Sequence, residues 1–127
     1  MKYDESKVLY PELSYKIYGL CYDIHNELGR FLKEQIYADA FEQKLKLANI
    51  AYLRETPFEK SFEGEAPRRN IPDFLIEETI IVDFKAKRLV GREEYYQMKR
   101  YLASSGKKLG LIINFRQPVL TPKRVLN

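Results

Sequence analysis

The stretch that decides the fold reads IPDFLIEETIIVDFKAK and spans residues 71–87. Two short runs rich in apolar and β-branched residues, 74–76 and 79–82, lie on either side of the acidic pair Glu77 and Glu78. Such runs around a polar break are typical of two strands joined by a tight turn. The stretch therefore predicts a β-hairpin, and its second strand ends in Asp83, Phe84 and Lys85.

The end of the predicted hairpin gathers charged groups. Side chains two residues apart in a strand lie on the same face, so Asp83 and Lys85 are expected on one face and Phe84 on the other. If the two strands pair, Asp73 at the start of the first strand lies beside the end of the second. We therefore expect two carboxylates and one ammonium group in one small region.

This cluster is suited to metal-assisted hydrolysis of a phosphodiester. Two neighbouring carboxylates repel each other unless a cation lies between them, and Mg²⁺ prefers oxygen ligands of this kind. A lysine beside the ion can orient or deprotonate a metal-bound water, or neutralise charge on a phosphate. A hairpin whose ends carry solvated charges is the alternative, and the spacing alone does not decide between the two.

The same residues are similar to a known signature. Pro72-Asp73, a hydrophobic hairpin and Asp83-Phe84-Lys85 resemble the PD-(D/E)XK motif of the restriction-endonuclease-like nucleases. Nearly the whole chain from about Leu13 onward resembles one branch of that superfamily, the small GxxExxY proteins. The matching stretches are residues 24–29, 32–40, 96–98, 101–102 and 109–115.

Two positions depart from the pattern of that branch. Phe31 stands where the name of the branch calls for a glycine three residues before Glu34, although Gly29 is close by. Asp83 stands where the branch more often has glutamate, and the superfamily pattern allows either. The first departure concerns the backbone ahead of Glu34, whereas the second keeps a carboxylate in place.

The resemblance implies a metal centre at the end of the hairpin. Asp73 and Asp83 would hold Mg²⁺ or Mn²⁺, with the backbone carbonyl of Phe84 as a further ligand. Lys85 would position or activate the attacking water and stabilise the charge that develops on the phosphate.

Two further residues enter the candidate site through the resemblance alone. Glu34 is the glutamate of the branch's motif and would be a third acid, acting on the metal ion or on its waters. Glu27 is the alternative, because the helical repeat does not settle which acid faces the hairpin. Gln97 matches a glutamine that helps to hold the substrate phosphate or the attacking water. Without the resemblance, Glu34 is an acid favoured in a first helical turn and Gln97 a polar helix residue.

Hydrophobic periodicity predicts three helices, at residues 11–28, 33–47 and 93–104. Their predicted inward faces include Leu28, Ile36 and Tyr96. Residues 51–62 are expected to form an exposed or edge strand interrupted by Pro57, and residues 109–113 a central strand buried on both faces. The passage from the hairpin through a helix to that strand implies a parallel pair.

The expected fold is therefore α/β: a restriction-endonuclease-like mixed sheet flanked by helices, with two N-terminal helices followed by the hairpin, a helix and a strand. Residues 1–9 are interpreted as a loose leader, and residues 123–127 as a last short strand or a frayed end. A length of 127 residues is expected to form one nuclease-like domain, residues 1–127.

Composition permits a nucleic-acid partner. The formal net charge is +4 and the pI is near 9.1, which suits a polyanion but does not require one. Arg68 and Arg69, just ahead of Asp73, are candidates for phosphate contacts or simply a solvated basic loop. His25 is interpreted as a boundary residue rather than a ligand, and Cys21 as a buried structural thiol. We expect a cytoplasmic protein without a membrane segment and, from its small size, a homodimer.

The leading hypothesis is a metal-dependent nuclease that hydrolyses phosphodiester bonds of nucleic acid, with DNA as the expected substrate. One alternative is a non-catalytic nucleic-acid-binding module that keeps the fold, and another is a regulatory or protein-interaction subunit. A nucleophilic hydrolase fits poorly, since the chain has one histidine, one cysteine and no serine elbow. The choice between DNA and RNA, and between endo- and exonuclease, stays open.

Overall fold

The structure is a computed structural model that describes residues 9–60, 62–66 and 70–127. Within these residues the chain forms three helices and five strands. In chain order they are α1 (Pro11–Leu28), α2 (Glu34–Leu47), β1 (Tyr52–Arg54), β2 (Phe74–Ile76), β3 (Ile80–Lys85), α3 (Arg92–Ser105), β4 (Leu109–Asn114) and β5 (Lys123–Leu126).

The five strands form one mixed sheet in the order β1-β2-β3-β4-β5. β1, β2 and β3 pair antiparallel, β3 and β4 pair parallel, and β4 and β5 pair antiparallel. The predicted hairpin is β2–β3, with Phe74 opposite Val82. Both β3 and β4 are buried along their length, apart from half-buried Lys85. The predicted α/β fold with a mixed sheet is therefore confirmed, including the parallel pair.

The two faces of the sheet are covered by different helices. On one face α1 and α2 enclose an aromatic cluster in which the Phe84 ring lies 5.0 Å from Phe41 and 5.0 Å from Phe115, edge-on to both. Such edge-to-face pairs stabilise beyond simple burial, by about 0.5–1.5 kcal/mol each. On the other face α3 packs Met98 and Leu102 against the sheet. The Phe84 side chain points toward α1 and α2. Because side chains alternate along a strand, those of the adjacent residues Asp83 and Lys85 point toward α3.

Several expectations need correction. The strand predicted over residues 51–62 is confined to Tyr52–Arg54 at the edge of the sheet, and Pro57 lies beyond its end. Of the two alternatives for the C-terminal segment, the last short strand is confirmed, because Lys123–Leu126 pairs with β4.

Leu28, Ile36 and Tyr96 are exposed rather than buried. In α3 the buried positions are Glu94, Met98, Tyr101 and Leu102, and a rotation of about 100° per residue places Tyr96 on the opposite side.

Further expectations concern the predicted leader, the basic loop ahead of Asp73, and the membrane. Residues 1–8 of the predicted leader, like Arg68 and Arg69, lie outside the described residues. Among the described residues, no helix is long and apolar enough to cross a membrane.

Candidate active site

The candidate active site lies where β2 and β3 end. Phe74 opposite Val82 is the last pair of the hairpin ladder, so Asp73 continues alongside β3 without a backbone partner there. Beyond that pair, hydrogen bonds from backbone N–H groups to aspartate side chains connect the two strands. The Phe84 N–H donates to Asp73 Oδ2 at 2.6 Å, and the Asp73 N–H donates to Asp83 Oδ1 at 3.2 Å. The two aspartates are thereby held against each other's strands.

Lys85 lies on the same face as Asp83, as the alternation of side chains predicts. Its Nζ is 2.8 Å from Asp83 Oδ2 and donates a hydrogen bond to Gln97 Oε1 at 2.8 Å. The side chains of Lys85 and Asp83 are 16% and 6% exposed. Helix α3 thus brings Gln97 to the end of β3, and the structure gathers four of the predicted residues, Asp73, Asp83, Lys85 and Gln97.

Burial makes the Asp73 carboxylate costly to ionise. Loss of hydration and the nearby charge of Asp83 raise the pKa of Asp73 to about 7, and the Phe84 N–H and the Lys85 ammonium offset only part of this rise. A positive ion beside the two aspartates would relieve the repulsion between them.

Lys85 is an ammonium group in this arrangement. Burial alone would lower the pKa of Lys85, but the attraction and hydrogen bond of Asp83, together with Glu34 and Asp73, raise it overall. A protonated lysine can donate hydrogen bonds and neutralise negative charge.

Glu34, and not Glu27, faces the hairpin. Glu34 opens α2, and its pKa is raised by burial, lowered by Lys85 and raised by Asp83, which places its carboxylate within electrostatic reach of the site. Glu27 instead forms an ion pair with Lys44 at 3.1 Å, almost three turns further along α2. The structure thus brings Glu34 closer to the site than Glu27, and the role of Glu34 as a third acid stays a prediction.

Phe31 does not disturb the loop ahead of Glu34. The residue with a left-handed backbone is Gly29, at φ 77°, whereas Phe31 does not have a positive φ. The Tyr37 hydroxyl donates to the Gly29 carbonyl at 2.7 Å and accepts from the Leu32 N–H at 3.2 Å. The turn thus needs its glycine at position 29 and accepts a side chain at position 31.

A cleft of about 480 Å³ opens beside the site. Its lining combines cationic, acidic and aromatic side chains: Lys85, Lys87, Glu93, Glu94, Tyr96, Gln97 and Arg100. Lys87 lies 3.5 Å from Glu94, whose carboxylate also accepts the Gly91 N–H at 2.9 Å and so caps α3. The cleft places positive charge next to the two aspartates, which suits a phosphate group.

Three neighbouring residues escape the sequence reasoning. Periodicity assigns Tyr101 only to the core, yet burial and the charges of Asp83 and Asp73 raise the pKa of its hydroxyl. Periodicity also places Arg100 outward, but this residue lines the cleft. Buried Asn114 accepts the Lys87 N–H and donates to the Lys87 carbonyl at 2.7 Å, which fixes the chain just after β3. Each depends on contacts between distant segments, and local patterns carry no signal for these.

His25 and Cys21 have structural surroundings, as expected. His25 Nε2 lies 2.8 Å from the Gln117 carbonyl, and because a carbonyl only accepts, this nitrogen carries the proton. Cys21 is fully buried in the core between α1 and the sheet, and burial raises the pKa of its thiol. Both residues therefore serve the packing of α1 rather than the end of the hairpin.

The donor set fits a hard divalent cation. Asp73 and Asp83 offer two carboxylates. The Phe84 carbonyl faces the same edge as its N–H, because both groups of one strand residue point to one side. Mg²⁺ takes one or two carboxylates and keeps several waters, so this open set matches its needs. Within residues 9–60, 62–66 and 70–127, no group of three or more His, Cys, Asp or Glu could hold a metal ion, so Glu34 is not grouped with the two aspartates.

Comparison with known families identifies a superfamily. A family model described as the PD-(D/E)XK nuclease superfamily matches residues 11–125, which is nearly the full length of the chain. Comparisons with curated proteins and with solved structures give no match.

Proposed function

The chain belongs to the PD-(D/E)XK nuclease superfamily, and we propose that it is a metal-dependent nuclease that hydrolyses phosphodiester bonds of nucleic acid, with DNA as the expected substrate. One observation carries the proposal: Asp83 contacts both Asp73 and Lys85 at the end of β3, beside a cleft whose lining includes Lys85, Lys87 and Arg100. The stretches that resemble the GxxExxY branch further support membership of that branch, with Glu34 as the glutamate of its motif.

The roles follow from the state of each group. Asp73, Asp83 and the Phe84 carbonyl would hold Mg²⁺ or Mn²⁺, which supplies positive charge to the phosphate and to a water. The Lys85 ammonium donates to a phosphate oxygen and offsets the charge that develops there. Gln97 holds the ammonium in place through its 2.8 Å hydrogen bond.

Glu34 completes the proposed site from the other side of the strand ends. Its carboxylate would accept a hydrogen bond from a water near Lys85, since it is not grouped with the two aspartates that would hold the ion. A raised pKa suits this role, because a carboxylate that titrates closer to neutral pH is a better proton acceptor for the attacking water. Glu34 is therefore the candidate to receive that proton.

A non-catalytic nucleic-acid-binding module is the second candidate. The 2.8 Å ion pair between Lys85 and Asp83 favours it, because the two charges satisfy each other without a metal ion. Such a module would bind nucleic acid in a salt-dependent manner with no requirement for a divalent cation.

A cleavage assay separates the two candidates. Wild type, Asp83→Asn and Lys85→Met are incubated with single- and double-stranded DNA and with RNA, in Mg²⁺, Mn²⁺ or EDTA. The nuclease proposal predicts cleavage in metal but not in EDTA, and a loss of at least about 100-fold in both variants, which corresponds to about 2.7 kcal/mol of transition-state stabilisation.

Glu78→Gln is the matched control, because it removes an exposed carboxylate from the same hairpin. It should cut like wild type. Circular dichroism establishes that all variants are folded. A wild type that cuts none of the substrates in either metal, while binding them in EDTA, would favour the module instead.

A further inference from the structure

An exposed aromatic ring in the loop that joins α1 and α2 has two arginines beside it. Phe31 is 72% exposed. The guanidinium carbon Cζ of Arg30 lies 4.8 Å from the centre of the Phe31 ring, and that of Arg116 lies 5.5 Å from it. With this much of the residue in contact with solvent, the two guanidinium groups leave much of the ring uncovered. We call these three residues the Arg30–Phe31–Arg116 cluster.

The cluster is held by reciprocal hydrogen bonds. Arg30 Nε donates to the Arg116 carbonyl at 2.7 Å, and Arg116 Nε donates to the Arg30 carbonyl at 3.0 Å. Each arginine uses only its Nε here. Among the described residues, no hydrogen bond or ion pair engages the terminal Nη atoms of either side chain. Two fixed cations therefore present free donors beside an exposed ring.

The cluster lies at the same end of the central strands β3 and β4 as the candidate active site. Asn114 Oδ1 accepts both the Lys87 N–H and the Arg116 N–H, each at 3.2 Å. The Phe115 N–H donates to the Lys85 carbonyl at 2.9 Å. Arg116 therefore lies just beyond the end of β4, the strand that pairs with β3. On the other side, the loop that carries Phe31 runs into Glu34. A chain bound at the cluster would therefore lie next to the cleft.

We infer that the Arg30–Phe31–Arg116 cluster binds an unpaired nucleotide, whose base stacks on Phe31 while the guanidinium groups donate to the adjoining phosphates. Bases have flat π faces that stack on aromatic side chains, and arginine matches phosphate geometry. In a duplex those faces are covered by neighbouring bases, so the ring selects single-stranded or locally unpaired nucleic acid. This inference rests on the proposed function and narrows its substrate class.

The chemistry favours nucleic acid over a protein partner. Protein-docking surfaces present contiguous apolar area, whereas here one ring is bordered by cations and by exposed Lys33. An anionic ligand with a flat apolar face satisfies both features at once.

A binding assay in EDTA tests the inference separately from cleavage. Fluorescence anisotropy measures the affinity for labelled single-stranded oligothymidine and oligouridine, and for a duplex of the same length. Phe31→Ala should weaken single-strand binding by about tenfold or more, as expected for loss of one stacked base. Duplex affinity should change less than about twofold, because a paired base does not reach the ring. Phe31→Tyr keeps an aromatic ring and should bind like wild type.

Tyr15→Ala is the matched control, because Tyr15 is an equally exposed aromatic residue, 80% exposed on α1. It should leave both affinities unchanged. Arg30→Gln should lower the slope of log K against log salt for single strands by about 0.7, the value for one lost phosphate contact. Unfolding midpoints establish that the variants are folded.

Three results would overturn the inference: no single-strand binding by wild type, an unchanged affinity in Phe31→Ala, or an equal loss for single strand and duplex. If wild type binds and the Phe31 variants behave as stated but nothing is cut in metal, the nuclease proposal fails while this site stands. If the wild type cuts nucleic acid in metal but Phe31→Ala binds single strands normally, the nuclease proposal stands and this binding site fails.

Discussion

Ionisation of Asp73 in the folded protein is unfavourable. The half-buried carboxylate of Asp73 lies beside that of Asp83, and loss of hydration together with the charge of Asp83 raises its pKa to about 7. In the unfolded chain an aspartate titrates near the ordinary value of about 3.9. Between these two values the folded state binds more protons than the unfolded state, so this group makes the protein less stable as the pH rises from about 4 to about 7.

Replacing Asp73 by asparagine should therefore stabilise the metal-free protein at high pH. The amide oxygen can still accept the Phe84 N–H, and no charge has to be buried. In EDTA we expect Asp73→Asn to raise the free energy of unfolding by about 2 kcal/mol more at pH 8 than at pH 5, because wild-type Asp73 is already protonated at pH 5. Urea unfolding at the two pH values measures the difference.

Glu77→Gln provides the control for this measurement, since it removes an exposed carboxylate from the same hairpin. It should show no comparable change between the two pH values. The same stability change in Asp73→Asn at pH 5 and pH 8 would mean that Asp73 titrates in its ordinary range.

The turn of the β2–β3 hairpin sets the register that aligns Asp73 with Asp83. Glu77 and Glu78 both have positive φ, at 47° and 59°, and the Thr79 N–H closes the turn on the Ile76 carbonyl at 2.9 Å. This is the two-residue geometry that asparagine and glycine favour, because it matches the twist of the strands. The acidic pair occupies it at a cost in backbone strain.

Glu78→Gly should relieve that strain. We expect a gain of about 1 kcal/mol in the free energy of unfolding, since glycine adopts positive φ without steric cost. Glu78→Ala removes the same charge but keeps a Cβ atom, so it should give no such gain. Urea unfolding compares the variants, and an equal gain in both would assign the effect to charge rather than to the backbone.

Helix α3 packs closely on β4, and this contact positions Gln97. A Cβ atom added at Gly110 would lie 2.2 Å from Met98 Sδ and 2.6 Å from its Cγ. Met98 follows Gln97 in α3, so a shift of the helix that relieves this contact would also move the glutamine that accepts a hydrogen bond from Lys85. The absence of a side chain at Gly110 therefore allows the close approach of α3 to β4 that positions Gln97.

Gly110→Ala should lower both stability and cleavage. We expect a loss of about 1–2 kcal/mol, moderated by the flexibility of the methionine side chain, together with a reduced kcat. Gly19→Ala is the matched control, because a Cβ there meets nothing within 4 Å and alanine is favoured inside a helix. It should be neutral or stabilising. Full activity and stability in Gly110→Ala would show that α3 does not need this close approach.

For the molecule as a whole, local patterns predict the centre of the site and leave its surroundings open. The hairpin, the shared face of Asp83 and Lys85, and the position of Asp73 all follow from strand alternation and a short turn. Glu34 and Gln97 require the resemblance, because helix rotation and packing place them. Periodicity assigns Tyr96 to the wrong face for the same reason.

The remaining features depend on contacts between segments far apart in sequence. Arg30 and Arg116 are separated by 86 positions and meet only because α1 ends beside the end of β4. Periodicity within one segment cannot reveal such a pair. The burial that raises the pKa of Asp73 likewise arises from the packed sheet and α3 rather than from neighbouring residues.

Binding of a divalent cation between Asp73 and Asp83 is the central claim, and calorimetric titration of Mn²⁺ at pH 6 tests it most directly. In two buffers of different ionisation enthalpy, wild type should bind Mn²⁺ at a single site and release about one proton, because Asp73 is largely protonated at that pH. Glu78→Gln should do the same, and Asp83→Asn should show no saturable binding. The account is contradicted if wild type does not bind Mn²⁺, or if Asp83→Asn binds it as tightly as wild type.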